Sequence, residues 1–147
     1  MSQASEFEPL FVEEIPRNFE PGKLYISIEY TTVAHLCACG CGNEVVTPLH
    51  PARWTLTYDG ERVSLWPSVG SWNLPCRSHY VIKRNKVQWA RPWSDERISA
   101  GRRRDRADLA AYFSHEEETQ REQISSSPDD TPAPPGWWHR VRKSLRR

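Results

Sequence analysis

The sequence lacks long apolar runs and has few apolar residues overall. Hydrophobic residues make up 37% of the chain, and its mean hydropathy is −0.74. No segment approaches the roughly 20 apolar residues of a membrane-spanning helix, and the first residues lack the basic and apolar regions of a signal peptide. The sequence therefore predicts a chain without a transmembrane segment, and we expect a cytoplasmic location, where cysteines stay reduced.

The chain also lacks an excess of charge of either sign. Its 20 lysine and arginine residues nearly balance 19 aspartate and glutamate residues, which gives a formal net charge of +1. This balance argues against attraction of the whole molecule to nucleic acid. The apolar residues are unevenly spread, and a folded core of about 75 residues is marginally stable unless something such as a structural metal staples it.

What the sequence does contain is a cluster of metal-binding residue types. The sulfur and imidazole side chains gather at two points: His35, Cys37, Cys39 and Cys41, then Cys76 and His79. In an extended segment residues two apart face the same way, and Gly40 and Gly42 allow a tight turn. A tetrahedral zinc site takes four ligands, so at most four of these six bind one ion. We expect most or all of the cysteines to bind it, with His79 the next candidate and His35 the weakest.

Other interpretations of the cysteines remain open. Disulfide bonds fit poorly, because cysteines two apart rarely bridge and the sequence lacks spaced pairs. A Rieske iron–sulfur centre uses Cys-x-His and Cys-x-x-His. Cys76 and His79 match the second half, but in the first half the histidine precedes the cysteine. The pattern therefore favours zinc, with an iron–sulfur centre as the less favoured metal site.

The middle of the chain has the pattern of a small antiparallel β domain. Six segments have strand character: 23–30, 44–47, 54–58, 61–66, 80–83 and 86–89. In the first of them the alternation predicts Leu24, Ile26, Ile28 and Tyr30 on one buried face. Asp59-Gly60 predicts a two-residue type I′ turn, and we expect residues 67–72 to form a loop. The fold class that follows is mainly β, with a metal-stapled domain over residues 23–93.

The segments outside that domain are predicted from their composition. Residues 1–22 are a lead-in rich in glutamate and proline. Residues 94–124 are dense in both charges, and a thin apolar stripe predicts a charged helical segment. Residues 125–147 comprise a Pro/Ser-rich linker, which we expect to be disordered, and a basic tail with two tryptophans. That tail is suited to contacts with an anionic membrane surface, nucleic acid or an acidic protein.

A serine–histidine pair is the candidate for catalysis. If the cysteines hold the metal, His79 and His35 are available as bases, and Ser68 lies in Pro-Ser-Val-Gly, the pattern of an exposed turn. Ser68 with His79 is a candidate nucleophile and base, favoured over Ser78 because neighbours in sequence rarely reach that geometry. Water activated by the metal is the alternative. Because thiolates make zinc a weak Lewis acid, we expect the metal to be structural.

Four stretches of the sequence resemble the bacterial BubE family. They are Gly22-Lys-Leu-Tyr-Ile-Ser-Ile-Glu-Tyr30, His35-Leu-Cys-Ala-Cys-Gly-Cys-Gly42 with its continuation to Leu49, Val63-Ser-Leu-Trp-Pro-Ser-Val-Gly-Ser-Trp72, and Cys76-Arg-Ser-His-Tyr-Val-Ile82. The resemblance covers about residues 17–93. The chain has Ser-Val-Gly-Ser-Trp where the family usually has Ser-Ile-Gly-Asn-Trp, a mild departure.

The resemblance implies a setting and a role. Such proteins are encoded beside bacterial ubiquitin-like modifiers and E1- and E2-like enzymes, in systems linked to phage defence. We therefore expect these proteins as partners, and we expect a zinc-stapled Ser/His peptidase that processes or removes the modifier. A non-catalytic zinc-binding adaptor of the same system is the first alternative, and a Rieske-like electron carrier is the second. The role is implied by analogy, because a fold alone does not determine function.

Overall fold

The computed structural model describes residues 2–125, so most of the predicted linker and all of the basic tail lie outside the described residues. The chain divides into two compact units, Met1–Tyr112 and Phe113–Arg147. The first unit contains every strand and the helix as far as Tyr112. In the second unit the described residues, 113–125, continue the helix and are exposed.

Eight strands and one helix make up the described part of the chain. They are β1 (Glu8–Phe11), β2 (Lys23–Ser27), β3 (Thr32–Leu36), β4 (Glu44–Pro48), β5 (Thr55–Tyr58), β6 (Val63–Gly70), β7 (His79–Lys83), β8 (Lys86–Trp89) and α1 (Asp95–Ser125). The strands form two four-stranded sheets, in the orders β1-β2-β3-β4 and β5-β6-β7-β8. All neighbours pair antiparallel except β1 and β2, which are parallel. The predicted mainly β fold class is confirmed.

Both sheets contribute to one hydrophobic core. Leu24, Ile26 and Val33 come from the first sheet, and Leu65 and Ile82 come from the second. Each of these side chains is fully buried, and burying a residue of this size contributes about 1.5–3 kcal/mol. The helix adds one buried residue, Ile98. No helix within residues 2–125 is long and apolar enough to cross a membrane.

The first sheet contains two strands that the sequence did not predict. The expected strand over 23–30 ends at Ser27, and the chain turns through Thr31 (φ 43°) into β3. Ile28 and Tyr30 were therefore wrongly placed on the core face, and they are 63% and 55% exposed. The other missed strand, β1, lies in the lead-in, where Phe7 is 1% exposed and joins the core.

The first hairpin of the second sheet has a longer loop than the sequence predicted, and the second hairpin has a two-residue turn. Tyr58 pairs with Val63, so the loop of the first hairpin has four residues rather than the two predicted at Asp59-Gly60. Only Gly60 has a positive φ in this loop, and the Asp59 carboxylate accepts hydrogen bonds from two backbone N–H groups of the loop. The two-residue turn belongs to the hairpin of β7 and β8, where Arg84 and Asn85 have φ of 49° and 69°.

β6 runs four residues further than the hydrophobic pattern indicated and carries an irregularity that shapes the site. The predicted loop over 67–72 is wrong for its first four residues, because the strand continues to Gly70. Leu65 pairs with Ile82 and Val69 with Tyr80, so four steps along β6 match two steps along β7. Such a bulge bends a strand and redirects a side chain. It contains Trp66, Pro67 and Ser68, with a cis peptide bond before Pro67.

Candidate functional site

The four cysteines converge from two loops that adjoin strand ends. Cys37 follows β3, and the chain then folds back so that the Cys37 N–H donates to the Asn43 carbonyl at 2.8 Å. Gly40 and Gly42 have φ of 82° and 77°, a conformation that glycine adopts without steric cost. Cys76 approaches from the loop before β7. The structure therefore supplies the turn that the glycine spacing predicted.

The sulfur atoms are spaced as the ligands of one metal ion. The Sγ–Sγ distances are 3.5 Å for Cys37–Cys39, 3.9 Å for Cys37–Cys76 and 3.7 Å for Cys41–Cys76, and all four atoms lie within 4.8 Å of one another. Zn–S bonds of about 2.3 Å in a tetrahedron place sulfurs about 3.8 Å apart. A disulfide would require about 2.05 Å, and all four cysteines are free. The cluster thus fits a metal ion.

The thiols of the cluster differ in how readily they ionise. The Asn43 side-chain amide donates to the Cys41 sulfur at 3.2 Å and lowers the pKa of that thiol to about 6. Burial raises the pKa of the Cys39 thiol to about 12. Ser78 Oγ lies 2.9 Å from the Cys37 sulfur. A bound cation would favour the thiolate form at every position.

His35 contacts neither the cysteine sulfurs nor a serine hydroxyl, and lies instead against Tyr80 and Phe7. Its Nε2 is hydrogen-bonded to the Tyr80 hydroxyl at 2.9 Å, and its ring contacts the Phe7 ring edge-on, with centroids 4.8 Å apart. The side chain is fully buried, and its Nδ1 has no hydrogen-bond partner among the described residues. Burial lowers the pKa of His35 to about 3, so the imidazole is neutral. The structure therefore places this candidate in the core.

Ser68 and His79 meet in a hydrogen bond. The His79 Nε2 lies 2.8 Å from Ser68 Oγ, and its Nδ1 lies 2.8 Å from the carbonyl oxygen of Arg91. A carbonyl oxygen can only accept, so Nδ1 carries the proton and the Nε2 lone pair accepts from the serine hydroxyl. Both ring nitrogens are thus engaged away from the cysteine cluster, which contains no histidine among the described residues.

Two tryptophans enclose the His79 ring. The Trp72 and Trp93 rings lie 4.9 and 5.1 Å from it, and the two indoles stack on each other with centroids 5.5 Å apart. Arg97 places its guanidinium over the outer tryptophan, 4.6 Å from the Trp93 ring, a cation–π contact. Only 6% of His79 is exposed. The imidazole is therefore held on two sides and shielded from bulk water.

Ser68 and His79 line a cavity of about 510 Å³. Its walls come from the loop before β5, the end of β6, the segment before α1, and α1 itself; they include Trp54, Trp72, Trp93, Ile98 and Arg102. A volume of this size accommodates a short peptide segment or a small ligand. A larger depression of about 610 Å³, lined by Glu6, Glu8 and Arg62 among others, contains no serine, histidine or cysteine.

Sequence reasoning missed the residues that orient the histidine. The nearest acids in sequence, Asp59 and Glu61, lie in the hairpin turn, where Asp59 pairs with Arg84 at 3.0 Å. The orienting acceptor is instead the main-chain carbonyl of Arg91. No side-chain pattern identifies a carbonyl.

The comparison with known families gives one result. The model of the family described as "Bacterial ubiquitination-like system serine protease (BubE)" matches residues 11–90. The matched region includes all four cysteines, Ser68 and His79. No curated protein and no solved structure matches the chain.

Proposed function

This chain belongs to the BubE family, and from that premise we propose that it is a serine peptidase with Ser68 as nucleophile and His79 as general base. The observation that carries the proposal is the 2.8 Å contact between Ser68 Oγ and His79 Nε2, with Nδ1 held by the Arg91 carbonyl. A nucleophile bonded to a base, which is itself oriented by a third group, is the arrangement of covalent acyl-transfer catalysis.

The geometry suits the two proton transfers of peptide hydrolysis. Ser68 Oγ attacks the scissile carbonyl carbon while His79 Nε2 takes the hydroxyl proton. The C–N bond then breaks, and the imidazolium returns the proton to the leaving amine, which leaves an acyl ester on Ser68. Water attacks this ester with its proton passing to Nε2, and the carboxylic acid departs as Ser68 regains its proton. Each step uses the nitrogen that faces the serine.

Arg91 supplies a neutral acceptor in place of the usual carboxylate. Its carbonyl fixes the tautomer of His79 but carries only a partial charge, so it stabilises an imidazolium less than a carboxylate would. The two stacked indoles contribute by holding the ring in position, which keeps Nε2 directed at the serine hydroxyl. We therefore expect a dyad whose reactivity depends strongly on the packing of Trp72 and Trp93.

The metal in this proposal is a structural zinc ion bound by Cys37, Cys39, Cys41 and Cys76. When bound, zinc would join the loop after β3 to the loop before β7, and four thiolates leave it no open position for water. A Rieske centre needs two imidazole ligands, and both His35 and His79 are hydrogen-bonded elsewhere. These contacts favour zinc over a Rieske centre. Elemental analysis should find about one zinc per chain and no visible absorption.

The substrate in this proposal is a ubiquitin-like modifier. We expect cleavage of its precursor or of its conjugates, in a cytoplasmic system that includes E1- and E2-like enzymes and serves phage defence. The family's description as part of a ubiquitination-like system supports partners within such a system, and the resemblance of the sequence implies the E1- and E2-like enzymes and the link to phage defence. We also propose that the metal-stapled β domain over residues 23–93 forms the catalytic unit, and that the first turns of the charged segment over residues 94–124, from Ile98 to Asp105, complete the cavity.

The test is covalent labelling of Ser68 by a neutral alkyl fluorophosphonate, located by peptide mass spectrometry. The wild-type chain should be labelled at Ser68, and Ser68→Ala should abolish the adduct. His79→Ala should slow labelling by about 10²–10⁴-fold, the usual contribution of a general base. Ser64→Ala is the matched control, because Ser64 lies on the same strand and accepts from the Arg84 N–H rather than from a histidine.

Thermal melting of each variant separates chemistry from folding. A His79→Ala variant that stays folded but is unreactive would support the assignment of His79 as the general base. A wild-type chain that is folded, contains zinc and leaves Ser68 unlabelled would favour the adaptor and contradict the peptidase proposal.

A further inference from the structure

The mouth of the Ser68–His79 cavity carries an excess of positive charge. Arg53, Arg102 and Arg104 line it, against one acid, Asp105. All three arginines are exposed. They come from two parts of the chain, the loop before β5 and the first unit's portion of α1. Two separate elements of the fold therefore contribute positively charged side chains to the cavity.

These charges are not neutralised within the described part of the chain. None of the ion pairs among residues 2–125 involves the three arginines. Arg102 donates to the Asn73 side-chain oxygen at 2.6 Å, and that acceptor carries no net charge. The bond holds one guanidinium at the mouth and leaves its charge available to a ligand.

We propose that this site selects peptide segments that carry aspartate or glutamate close to the scissile bond. The inference rests on the proposed peptidase function and names the substrate class of the same site. Guanidinium groups bind carboxylates through paired, charge-assisted hydrogen bonds. The apolar walls formed by Trp54, Trp72 and Trp93 lower the local dielectric and strengthen such contacts relative to water.

A matched pair of double variants isolates the effect. Arg53→Gln with Arg104→Gln removes two charges from the cavity mouth. Arg103→Gln with Arg106→Gln removes two charges from exposed positions of the same helix that do not line the cavity. Net charge falls equally in both. Because all four side chains are exposed, neither change should unfold the chain.

The measurement is protection of Ser68 from a neutral alkyl fluorophosphonate by two pools of random peptides. One pool contains aspartate and glutamate among neutral residues, and the other replaces them with asparagine and glutamine. The acidic pool should protect the wild-type chain at lower concentration, and added salt should weaken that protection. The Arg53/Arg104 double variant should need about two- to twentyfold more acidic pool. The Arg103/Arg106 double variant should behave as the wild type.

The labelling rate without peptide keeps the two proposals apart. If Ser68 is labelled but the two pools protect equally, or neither protects, acid selection is wrong and the peptidase proposal stands. An equal loss of protection by the acidic pool in both double variants would also overturn the proposal of acid selection, because the effect would then come from net charge. Stronger protection by a thymidine oligonucleotide than by the acidic pool would assign the charge to nucleic acid instead. If Ser68 is not labelled at all, both proposals fail.

Discussion

Gly70→Ala is the substitution for which the structure gives the sharpest expectation. A Cβ added at Gly70 would lie 2.3 Å from Trp72 Nε1, 2.4 Å from Cε2 and 2.7 Å from Cζ2. Carbon atoms in contact are separated by about 3.5–4.0 Å, so the rigid indole must move by about 1.2 Å or more. The φ of Gly70 is not positive. The effect therefore comes from crowding by the new methyl group.

The displaced indole packs against the proposed catalytic base. Trp72 lies 4.9 Å from the His79 ring and stacks on Trp93, and Gly70 pairs with His79 across the sheet. A misplacement of about 1 Å costs on the order of 10²-fold in rate. Overpacking should also destabilise the fold by about 1–3 kcal/mol. We expect Gly70→Ala to lose about 10²-fold in Ser68 labelling rate while staying folded.

Two further variants make this expectation specific. Gly101→Ala adds a Cβ 3.3 Å from Trp93 Cζ3, a contact that a small shift relieves, and alanine is the better helix former by about 1 kcal/mol. It should therefore label at nearly the wild-type rate. Trp72→Phe removes the indole atoms that meet the new Cβ. In the Gly70→Ala background it should recover part of the lost stability, with a coupling of about 0.5–3 kcal/mol.

The assay is the rate of fluorophosphonate labelling of Ser68, with urea unfolding on the same samples. The reasoning is refuted if Gly70→Ala labels Ser68 at the wild-type rate and unfolds at the wild-type midpoint. It is also refuted if Gly101→Ala loses as much rate as Gly70→Ala, because the effect would then not depend on the 2.3 Å contact.

Substitutions at three other positions test separate parts of the structure. Cys76→Ser should unfold the β domain in far-ultraviolet circular dichroism, since structural zinc supplies about 10–16 kcal/mol; a native spectrum without zinc would contradict this. Tyr80→Phe removes the hydrogen bond of the buried His35 and should cost about 1–3 kcal/mol in urea unfolding, whereas an unchanged midpoint would argue against that bond. Asn85→Gly should lower the free energy of unfolding by about 1 kcal/mol less than Asn85→Ala does, because Asn85 has a φ of 69° and glycine adopts this left-handed conformation at lower cost than alanine. Equal urea midpoints for the two variants would refute this.

The sequence predicted the elements whose signals are local. The hairpin of β7 and β8 has an alternating pattern on both sides of a short polar turn, and α1 follows from its charge pattern. β1 could not be predicted this way, because Pro9 and the surrounding glutamates weaken the strand pattern. The strand forms through parallel pairing with β2, a contact between residues about 15 positions apart. Phe7, which precedes β1 and lies in the core, is recognisable as a core residue only once that partner is known.

The candidate site shows the same distinction between features with local sequence signals and features that depend on long-range contacts. Cysteine spacing indicated a cluster that could hold a metal ion, because Cys37, Cys39 and Cys41 are close in sequence. The Ser68–His79 pair depends on the bulge in β6, and a bulge is a mismatch between two strands that neither strand encodes alone. The Arg91 carbonyl and the Trp93 ring reach His79 from beyond β8, so their roles follow from the fold and from no motif.

Strand alternation explains why Cys76 and His79 serve different sites although their spacing is that of a ligand pair. Two ligands three residues apart meet one ion when the backbone turns between them. Here β7 begins at His79, and successive side chains point to opposite faces. Ser78 and Tyr80 face inward, toward the Cys37 sulfur and the core. His79 lies on the opposite side of the strand, where the bulge in β6 brings Ser68 to its Nε2 and two tryptophans cover its ring. The cysteine cluster and the serine–histidine pair thus contact two adjacent residues of the chain, Ser78 and His79.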